Sequence, residues 1–373
     1  MGAYLDHAAT TPLRPEAVFA MLPYLTDHFG NPSGSHSVAR DARRAVDDAR
    51  DVVAGCLGCD PSEVVFTGGG TEADNLAVLG AQRAGGGSVL CSAVEHRAVL
   101  SACRSVSGTT VAVDGAGVID LDALAGSLHP GVGVVSLMLA NNEVGSVQPL
   151  EDAVALVRRL APGAVVHSDA IAAVPWLDVA SATTAVDLVS FSAHKFGGPK
   201  GVGILVVRRE TALAPVLHGG AQERDRRPGT HDVAGIVGAA AALRAATVAR
   251  DGEVARVGAL RDRLARGLRS VEGVEQTVAD APFGKVVSSC HVLVDGVDQE
   301  ELLVLLDEGG VYASAGAACA SGALEPSHVL LAMGLSPSRA RTGVRFSLGH
   351  STTDAEVDLA LRIVPKAIER LRR

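Results

Sequence analysis

The stretch Asp187-Leu-Val-Ser-Phe-Ser-Ala-His-Lys-Phe-Gly-Gly-Pro-Lys-Gly201 joins two apolar segments through a short polar turn. The segment before the turn, 188–191, predicts a buried strand, and 203–207 predicts a second one. Lys195 lies in the turn between them. A lysine at the end of a buried strand suits a lysine that loses its proton and forms a Schiff base. An ordinary surface lysine is the alternative, since most lysines are exposed.

Short apolar strands alternate with helical segments on the N-terminal side of this stretch. Strands are predicted over 63–67, 88–91, 109–113, 132–139 and 164–167, and helices over 16–24, 37–57, 71–84, 95–106, 121–128 and 150–160. This alternation predicts an α/β fold in which helices flank both faces of a mostly parallel sheet.

The pattern changes near residue 220, where a polar connector leads into a long alanine-rich helical region. Further strands and helices follow over 289–294, 299–308, 344–348 and 354–372. We therefore predict a large domain over 16–245 and a smaller α+β domain over 246–373, joined by an N-terminal arm over 1–15.

Composition narrows the class of protein. The chain has 373 residues, is 47% hydrophobic and carries a net charge of -9, which argues against a direct nucleic-acid partner. We find no signal peptide and no uncharged apolar run long enough for a membrane span, so we expect a cytoplasmic protein. Six scattered cysteines then suit free thiols better than disulfides. The lone Cys56-Leu-Gly-Cys59 motif lacks a second pair, so we predict no metal site.

Four stretches place polar groups where a predicted strand ends or a helix begins, which is where open α/β sheets bind ligands. In Thr67-Gly-Gly-Gly-Thr-Glu-Ala-Asp-Asn75, free backbone N–H groups and the positive end of a helix suit a phosphate. Asp169 could hold a proton on the ring nitrogen of pyridoxal phosphate, or it could cap a helix. His96 could stack on a flat ring, although a lone histidine is usually structural. Asn142 could bond a ring hydroxyl or a substrate.

Three further residues are candidates for contact with a substrate. Cys319 lies in a loop of small residues, 310–322, which we expect to be mobile, so that its thiol can reach into a pocket. Arg345 lies in a short apolar strand and suits bidentate capture of a carboxylate. Asn31 lies in a polar loop, although Asn-Pro is also a plain turn signal.

The chain resembles the cysteine desulfurases of the IscS/NifS group, within the class V, fold-type I pyridoxal-phosphate enzymes. The resemblance extends over nearly the whole length. The residues that carry it are Tyr4 to Pro12, Phe66 to Asn75, Glu95-His96, Asn141 to Gly145, His167 to Asp169, Ser190 to Lys195, His218 to Arg224, Pro228 to Thr230, Cys319 with Leu324 to Ser327, and Arg345 to Gly349.

The resemblance implies a role for each matching position. Lys195 would hold pyridoxal 5'-phosphate covalently, Asp169 would pair with the ring nitrogen, and His96 would stack on the ring. The phosphate would be held by Gly70, Thr71, Ser192 and His194, and by Thr230 of the other subunit, which implies a homodimer.

The implied reaction converts L-cysteine to L-alanine. Asn142 and Arg345 would hold the substrate, and Lys195 would take its Cα proton. The Cys319 thiolate would attack the substrate sulfur and keep it as a persulfide. An acceptor protein, such as an iron–sulfur cluster assembly scaffold or a thiolation enzyme, would then receive the sulfur.

The chain departs from the family pattern at two places. Ala172 stands where the family usually has a glutamine that bonds the phenolic oxygen of the cofactor, and two hydroxyls usually found near the reactive cysteine are missing around Cys319. Two alternatives stay open on this basis. One is another lyase on the same scaffold, acting on selenocysteine, cysteine sulfinate or another C–S bond. The other is a non-catalytic sulfur-relay scaffold.

Overall fold

The computed structural model describes residues 2–316 and 325–373. The strands are β1 (Ala3–Tyr4), β2 (Val64–Thr67), β3 (Ser88–Ser92), β4 (Thr109–Val111), β5 (Val132–Ser136), β6 (Val165–Asp169), β7 (Leu188–Ser192), β8 (Gly203–Val207), β9 (Val274–Gln276), β10 (Ser289–Val294), β11 (Val311–Tyr312) and β12 (Gly343–Ser347). The helices are α1 (Pro15–Thr26), α2 (Ser37–Leu57), α3 (Gly70–Gly85), α4 (Arg97–Ser105), α5 (Leu121–Ser127), α6 (Leu150–Leu160), α7 (Val179–Ala182), α8 (Val233–Arg269), α9 (Gln299–Glu308), α10 (His328–Ala332), α11 (Pro337–Ala340) and α12 (Asp354–Arg372).

The larger sheet has the strand order β2-β8-β7-β6-β5-β3-β4. Its strands are parallel except where β8 runs antiparallel to both β7 and β2. The exception follows from the short turn after β7, because a tight connection can join only antiparallel neighbours. Every residue of β7 and β8 is buried, as expected for strands covered on both faces. The predicted α/β class with a mostly parallel sheet is therefore confirmed.

Helix α2 shows how the sequence covers this sheet. Ala42, Val46, Ala49 and Val53 recur every three or four residues and form one buried face. The helix ends at Gly58, whose φ of 63° is the left-handed conformation that glycine adopts easily. The hydrophobic periodicity thus fixes both the length of this helix and the face that it packs inward.

Helix α8 connects two hydrophobic cores. Its first part, up to Ala246, packs into the core around the larger sheet, whereas Val257 to Leu268 pack into the core of the C-terminal part. The predicted boundary between residues 245 and 246 therefore falls inside one continuous helix. The division into two domains stays a prediction.

The smaller sheet is antiparallel, with the order β12-β10-β9. Beside it, β1 of the N-terminal arm pairs in parallel with β11. Asp6 continues the arm through an isolated bridge to Ser347 at the end of β12. The arm therefore packs against the C-terminal part of the chain before it enters α1.

Among the described residues, only α8 is long and apolar enough by composition to cross a membrane. More than half of its most apolar window is buried inside the protein, at 56%. The core helix of a soluble protein passes the same test, so this helix is weak evidence for a membrane span.

Candidate active site

A cavity of about 420 Å³ lies where the C-terminal ends of β6 and β7 meet the N-termini of α3 and α4. The N-terminal arm and β12 close its other side. Nine predicted site residues line this one cavity, namely Gly70, Thr71, His96, Asn142, Asp169, Ser192, His194, Lys195 and Arg345. Their sequence positions span most of the chain, so the fold brings them together.

Lys195 ends the short helical turn that follows β7. Its side-chain Nζ donates to the carbonyl oxygens of Ala8, at 2.5 Å, and Ala9, at 3.0 Å. Because β7 is buried along its whole length, the strand directs the turn and its lysine to the edge of the sheet. The lysine is therefore part of the cavity wall and is not an ordinary surface residue.

Asp169 is the last residue of β6 and is 4% exposed. One carboxylate oxygen accepts the backbone N–H of Ile171 at 2.9 Å, so the residue also stabilises the turn that follows the strand. Burial raises the pKa of Asp169 to about 6, against the opposing effects of the Ile171 N–H and of Lys195. A carboxylate held in such a place favours a positively charged or proton-bearing partner in the cavity.

His96 is the N-cap of α4, which explains why this helix starts two residues later than predicted. Its Nδ1 accepts the backbone N–H of Ala98 at 3.2 Å. Burial and then the charge of Lys195 lower the pKa of His96 to about 4. The imidazole is therefore neutral at pH 7, and its bonded Nδ1 leaves the proton on Nε2.

The start of α3 forms a close-fitting wall of the cavity. Gly69 has a φ of 146°, which L side chains rarely adopt, and Gly70 begins the helix. A Cβ on Gly70 would lie 2.4 Å from Cδ1 of Ile171 and 3.1 Å from Cβ of Ser192. A side chain at Gly70 would displace Ile171 and crowd Ser192, so glycine leaves the first backbone N–H groups of the helix open to the cavity.

Arg345 lies on β12 and its side chain is 3% exposed. Its Nη2 donates to the carboxylate of Asp6 at 2.8 Å, and its Nη1 donates to the carbonyl of Asn142 at 3.0 Å. The guanidinium is thus fixed on two sides, and its Nε is buried without a partner among the described residues.

Two predicted site residues, Asn31 and Thr230, are not among the described residues that line the cavity. Asn31 is exposed, and its side chain accepts the backbone N–H of Ser33 at 3.0 Å. Thr230 is exposed as well. Cys319 lies outside the described residues. The roles suggested for these three residues stay predictions, whereas Ala172, the departure from the family pattern, does line the cavity.

Comparison with known proteins identifies the family. The family model for the class-V aminotransferases matches residues 3–360 of the chain. The chain belongs to the class-V aminotransferase family. A cysteine desulfurase of Cereibacter sphaeroides is 43% identical, over 99% of this chain and 96% of the relative.

Solved structures share the fold of this class-V aminotransferase. A NifS-like protein superposes with a TM-score of 0.91 at 33% identity and covers all of both chains. SspA in complex with cysteine superposes with a TM-score of 0.80 at 30% identity, over 94% of this chain and all of the other. The class V and fold-type I resemblance is therefore confirmed over the whole chain.

Asp74 also lines this cavity, although the sequence motifs predicted no role for it. It lies on α3 and is fully buried, and one of its carboxylate oxygens lies 3.7 Å from Nε2 of His167. Burial and the nearby charge of Asp169 raise the pKa of Asp74 well above its ordinary value. A signal was available, because Asp74 is one helical turn after Gly70 and so faces the same side.

Proposed function

We propose that this protein is a cysteine desulfurase that uses pyridoxal 5'-phosphate and converts L-cysteine to L-alanine. The observation that carries the proposal is one cavity that joins Lys195, Asp169 and His96 to a buried arginine with an unpaired donor. Relatives named cysteine desulfurase match the chain over nearly its full length, which supports the same conclusion.

The residues present fit the cofactor. The close-packed start of α3 at Gly70, with the hydroxyls of Thr71 and Ser192, would hold the phosphate, since helix N-termini bind anions. Asp169 would hold the proton of the ring nitrogen, and Lys195 would provide the covalent attachment. When bound, the cofactor supplies an electron sink for the carbanion that forms at Cα of the substrate.

The substrate carboxylate has a suitable partner in Arg345. The buried Nε lacks a hydrogen bond within the described part of the chain, and leaving a charged donor unpaired is costly. Because Arg345 lines the cavity, a carboxylate there would be attracted by the positive charge of the guanidinium. Asn142, whose carbonyl holds the same guanidinium, also lines the cavity and would contact the substrate.

The chain's own groups would carry out the two halves of the reaction. Lys195 would accept the Cα proton of L-cysteine. The thiolate of Cys319 would attack the substrate sulfur, the carbon–sulfur bond would break, and Cβ would gain a proton. Cα would then regain a proton to give L-alanine. The sulfur would remain on Cys319 as a persulfide. Gly316 lines the cavity three residues before Cys319, and three residues of chain span at most about 11 Å.

Replacement of Cys319 by serine tests this reaction. We expect the variant to lose sulfide release from L-cysteine and the persulfide mass on the protein, while the yellow colour that borohydride bleaches is kept. A second lyase activity, such as selenocysteine lysis, could survive. Sulfide release at the wild-type rate by Cys319→Ser would contradict the persulfide mechanism. An absence of yellow colour in wild-type protein given pyridoxal phosphate would contradict the enzyme itself and favour a non-catalytic scaffold.

We also infer a homodimer. Large apolar side chains are exposed along one part of the single chain, namely Phe19 (71%), Leu22 (49%), Leu25 (63%) and Phe29 (80%). A contiguous apolar surface of this kind is typical of an interface. In a dimer, the exposed Thr230 could contribute to the phosphate site of the partner. Light scattering coupled to size exclusion tests this, and a monomer at micromolar concentration would contradict it.

We also propose that the sulfur passes to an acceptor protein and that the protein is cytoplasmic. An acceptor protein is needed because each turnover leaves a sulfur atom on Cys319. The described cysteines are all free, which suits a reducing cytoplasm. Mass spectrometry of proteins that acquire sulfur from the persulfide-loaded enzyme would identify the acceptor.

A further inference from the structure

Glu143 is a buried carboxylate next to the candidate active site. It lies in the turn 141–145 and is 2% exposed. One of its oxygens accepts the hydroxyl of Ser327 at 2.5 Å. Ser327 is also the N-cap of α10, because its hydroxyl accepts the backbone N–H of Leu330. A buried acid of this kind needs a reason, since burial of a carboxylate is costly.

Gly316 packs against the same carboxylate. Its φ is +83°, and a Cβ there would lie 3.0 Å from Oε2 of Glu143. Gly316 lines the cavity, whereas Ser327 begins the helix on the other side of the segment that contains Cys319. Both flanks of that segment therefore meet at one side chain.

The turn that carries Glu143 is itself firmly held. The side-chain oxygen of Asn141 accepts the backbone N–H groups of Glu143 and Val144, both at 2.9 Å. The hydroxyl of Ser289 donates to the backbone carbonyl of Glu143 at 3.1 Å. These bonds make the turn a rigid support, so the position of the carboxylate is well defined.

The substrate side of the cavity is attached to the same turn. The carbonyl of Asn142, one residue before Glu143, accepts from the guanidinium of Arg345 at 3.0 Å. The ring of His328, one residue after Ser327, is 2.9 Å from the carbonyl of Glu95, next to His96. Hydrogen bonds thus connect the C-terminal flank of the Cys319 segment to the turns that carry Asn142 and His96.

We propose that Glu143 is a positioning residue for sulfur transfer. It holds Ser327 by a hydrogen bond and packs against Gly316, and these two described residues flank the chain that carries Cys319. The inference rests on the proposed desulfurase function. We therefore expect loss of Glu143 to slow the attack by Cys319 far more than it weakens the binding of L-cysteine. Only the segment that contains Cys319 loses a contact that positions it.

The test uses the holoenzyme and measures two stages separately. The absorbance change on adding L-cysteine reports binding and the early chemistry, and mass spectrometry reports the persulfide on Cys319. We expect Glu143→Ala to slow persulfide formation about 10- to 100-fold, since a misplacement of about 1 Å has effects of that size. We expect the absorbance change to stay within about twofold of wild type.

Two further variants separate positioning from general damage. Glu143→Gln keeps an oxygen that can accept from Ser327, so we expect it to recover most of the persulfide rate. Ser327→Ala should repeat the defect of Glu143→Ala. The matched control is Ser336→Ala, which removes a similar N-cap from α11 at a place that does not contact Glu143.

Each outcome bears on a different claim. Persulfide formation at the wild-type rate in Glu143→Ala, or an equal loss in both stages, would overturn the positioning role. If Glu143→Ala does not fold, the ratio of the two stages in Ser327→Ala and Ser336→Ala decides the question. If wild-type enzyme forms no persulfide, the proposed function fails first, and the two failures are thereby distinguished.

Discussion

Lys195 and Arg345 line the same cavity, but the chain fixes them in different ways. Lys195 follows the buried strand β7, and its neighbours Ser192 and His194 line the cavity with it. Arg345 is held by Asp6, which is 339 residues away, and by Asn142, which is 203 residues away. The lysine side is therefore specified by local sequence, and the arginine side by contacts between distant segments.

The largest expected effect is on the lysine side. Lys195→Ala removes the group that would hold the cofactor and accept the Cα proton, so we expect turnover to fall about 100- to 10,000-fold. Loss of the borohydride-sensitive colour would accompany it. Lys366→Ala, on the exposed face of α12, is the control and should leave turnover unchanged. Substantial turnover by Lys195→Ala would mean that the lysine side is not where the chemistry occurs.

A smaller effect is expected when the arginine side is broken. Asp6→Ala leaves a buried guanidinium without its anionic partner, which costs about 1–3 kcal/mol of stability. Because Arg345 loses its fixed orientation, we expect the KM for L-cysteine to rise about tenfold with cofactor absorbance unchanged.

Asp358→Ala is the matched control for that variant. It breaks an exposed ion pair with Arg263, so the change in stability should be about 0–1 kcal/mol and KM should stay the same. Loss of the cofactor from Asp6→Ala at an unchanged KM would show that the arm supports the lysine side instead.

The pH dependence of apoprotein stability tests the environment of Asp169, on the lysine side of the cavity. The pKa of Asp169 in the folded apoprotein is about 6, above the ordinary 3.8, so the folded state binds the proton more tightly than the unfolded state. Apoprotein stability should therefore fall as pH rises from about 4 through about 6. Asp169→Asn removes this loss and should be roughly 1–3 kcal/mol more stable at pH 7, with no difference below pH 4. Urea unfolding of both apoproteins across this range measures it, and a wild-type advantage that grows with pH would contradict it.

The smallest effect is expected for a substitution at Cys59, far from both Lys195 and Arg345. Burial raises the pKa of Cys59 to about 11, so its thiol is protonated at neutral pH and reacts slowly. Cys59→Ser should leave turnover and persulfide formation unchanged. Rapid alkylation of Cys59 by iodoacetamide at pH 7.5 would show a reactivity that the fold does not explain.

Local sequence predicted most of the fold and the lysine side. The helices over Ser37–Leu57 and Leu150–Leu160 begin and end where the hydrophobic pattern placed them. Asp169 and His96 were found because each lies at the end of a strand or the start of a helix. Periodicity and capping act within a few residues, so they can be read from one stretch of chain.

The contacts that sequence reasoning missed depend on the folded arrangement. Asp6 was part of a recognised stretch, but nothing near it indicates a pairing with Arg345. Glu143 likewise gave no sign that it contacts Ser327, 184 residues later. Long-range pairing depends on topology, which a single sequence does not display. The direction of β8 was not predicted either, although the short turn between 191 and 203 indicated an antiparallel pair; strand periodicity alone is the same in both kinds of pair.

The arm that pairs β1 with β11 has a consequence for how the protein is made. The ribosome produces Ala3 to Asp6 long before their bonding partners at Val311 and Arg345. The larger sheet can assemble while translation continues, because domains fold as units and its contacts are more local. The substrate side of the cavity must wait until Arg345 has been made, so a nascent protein has the cavity wall around Lys195 in place before it can recognise a carboxylate.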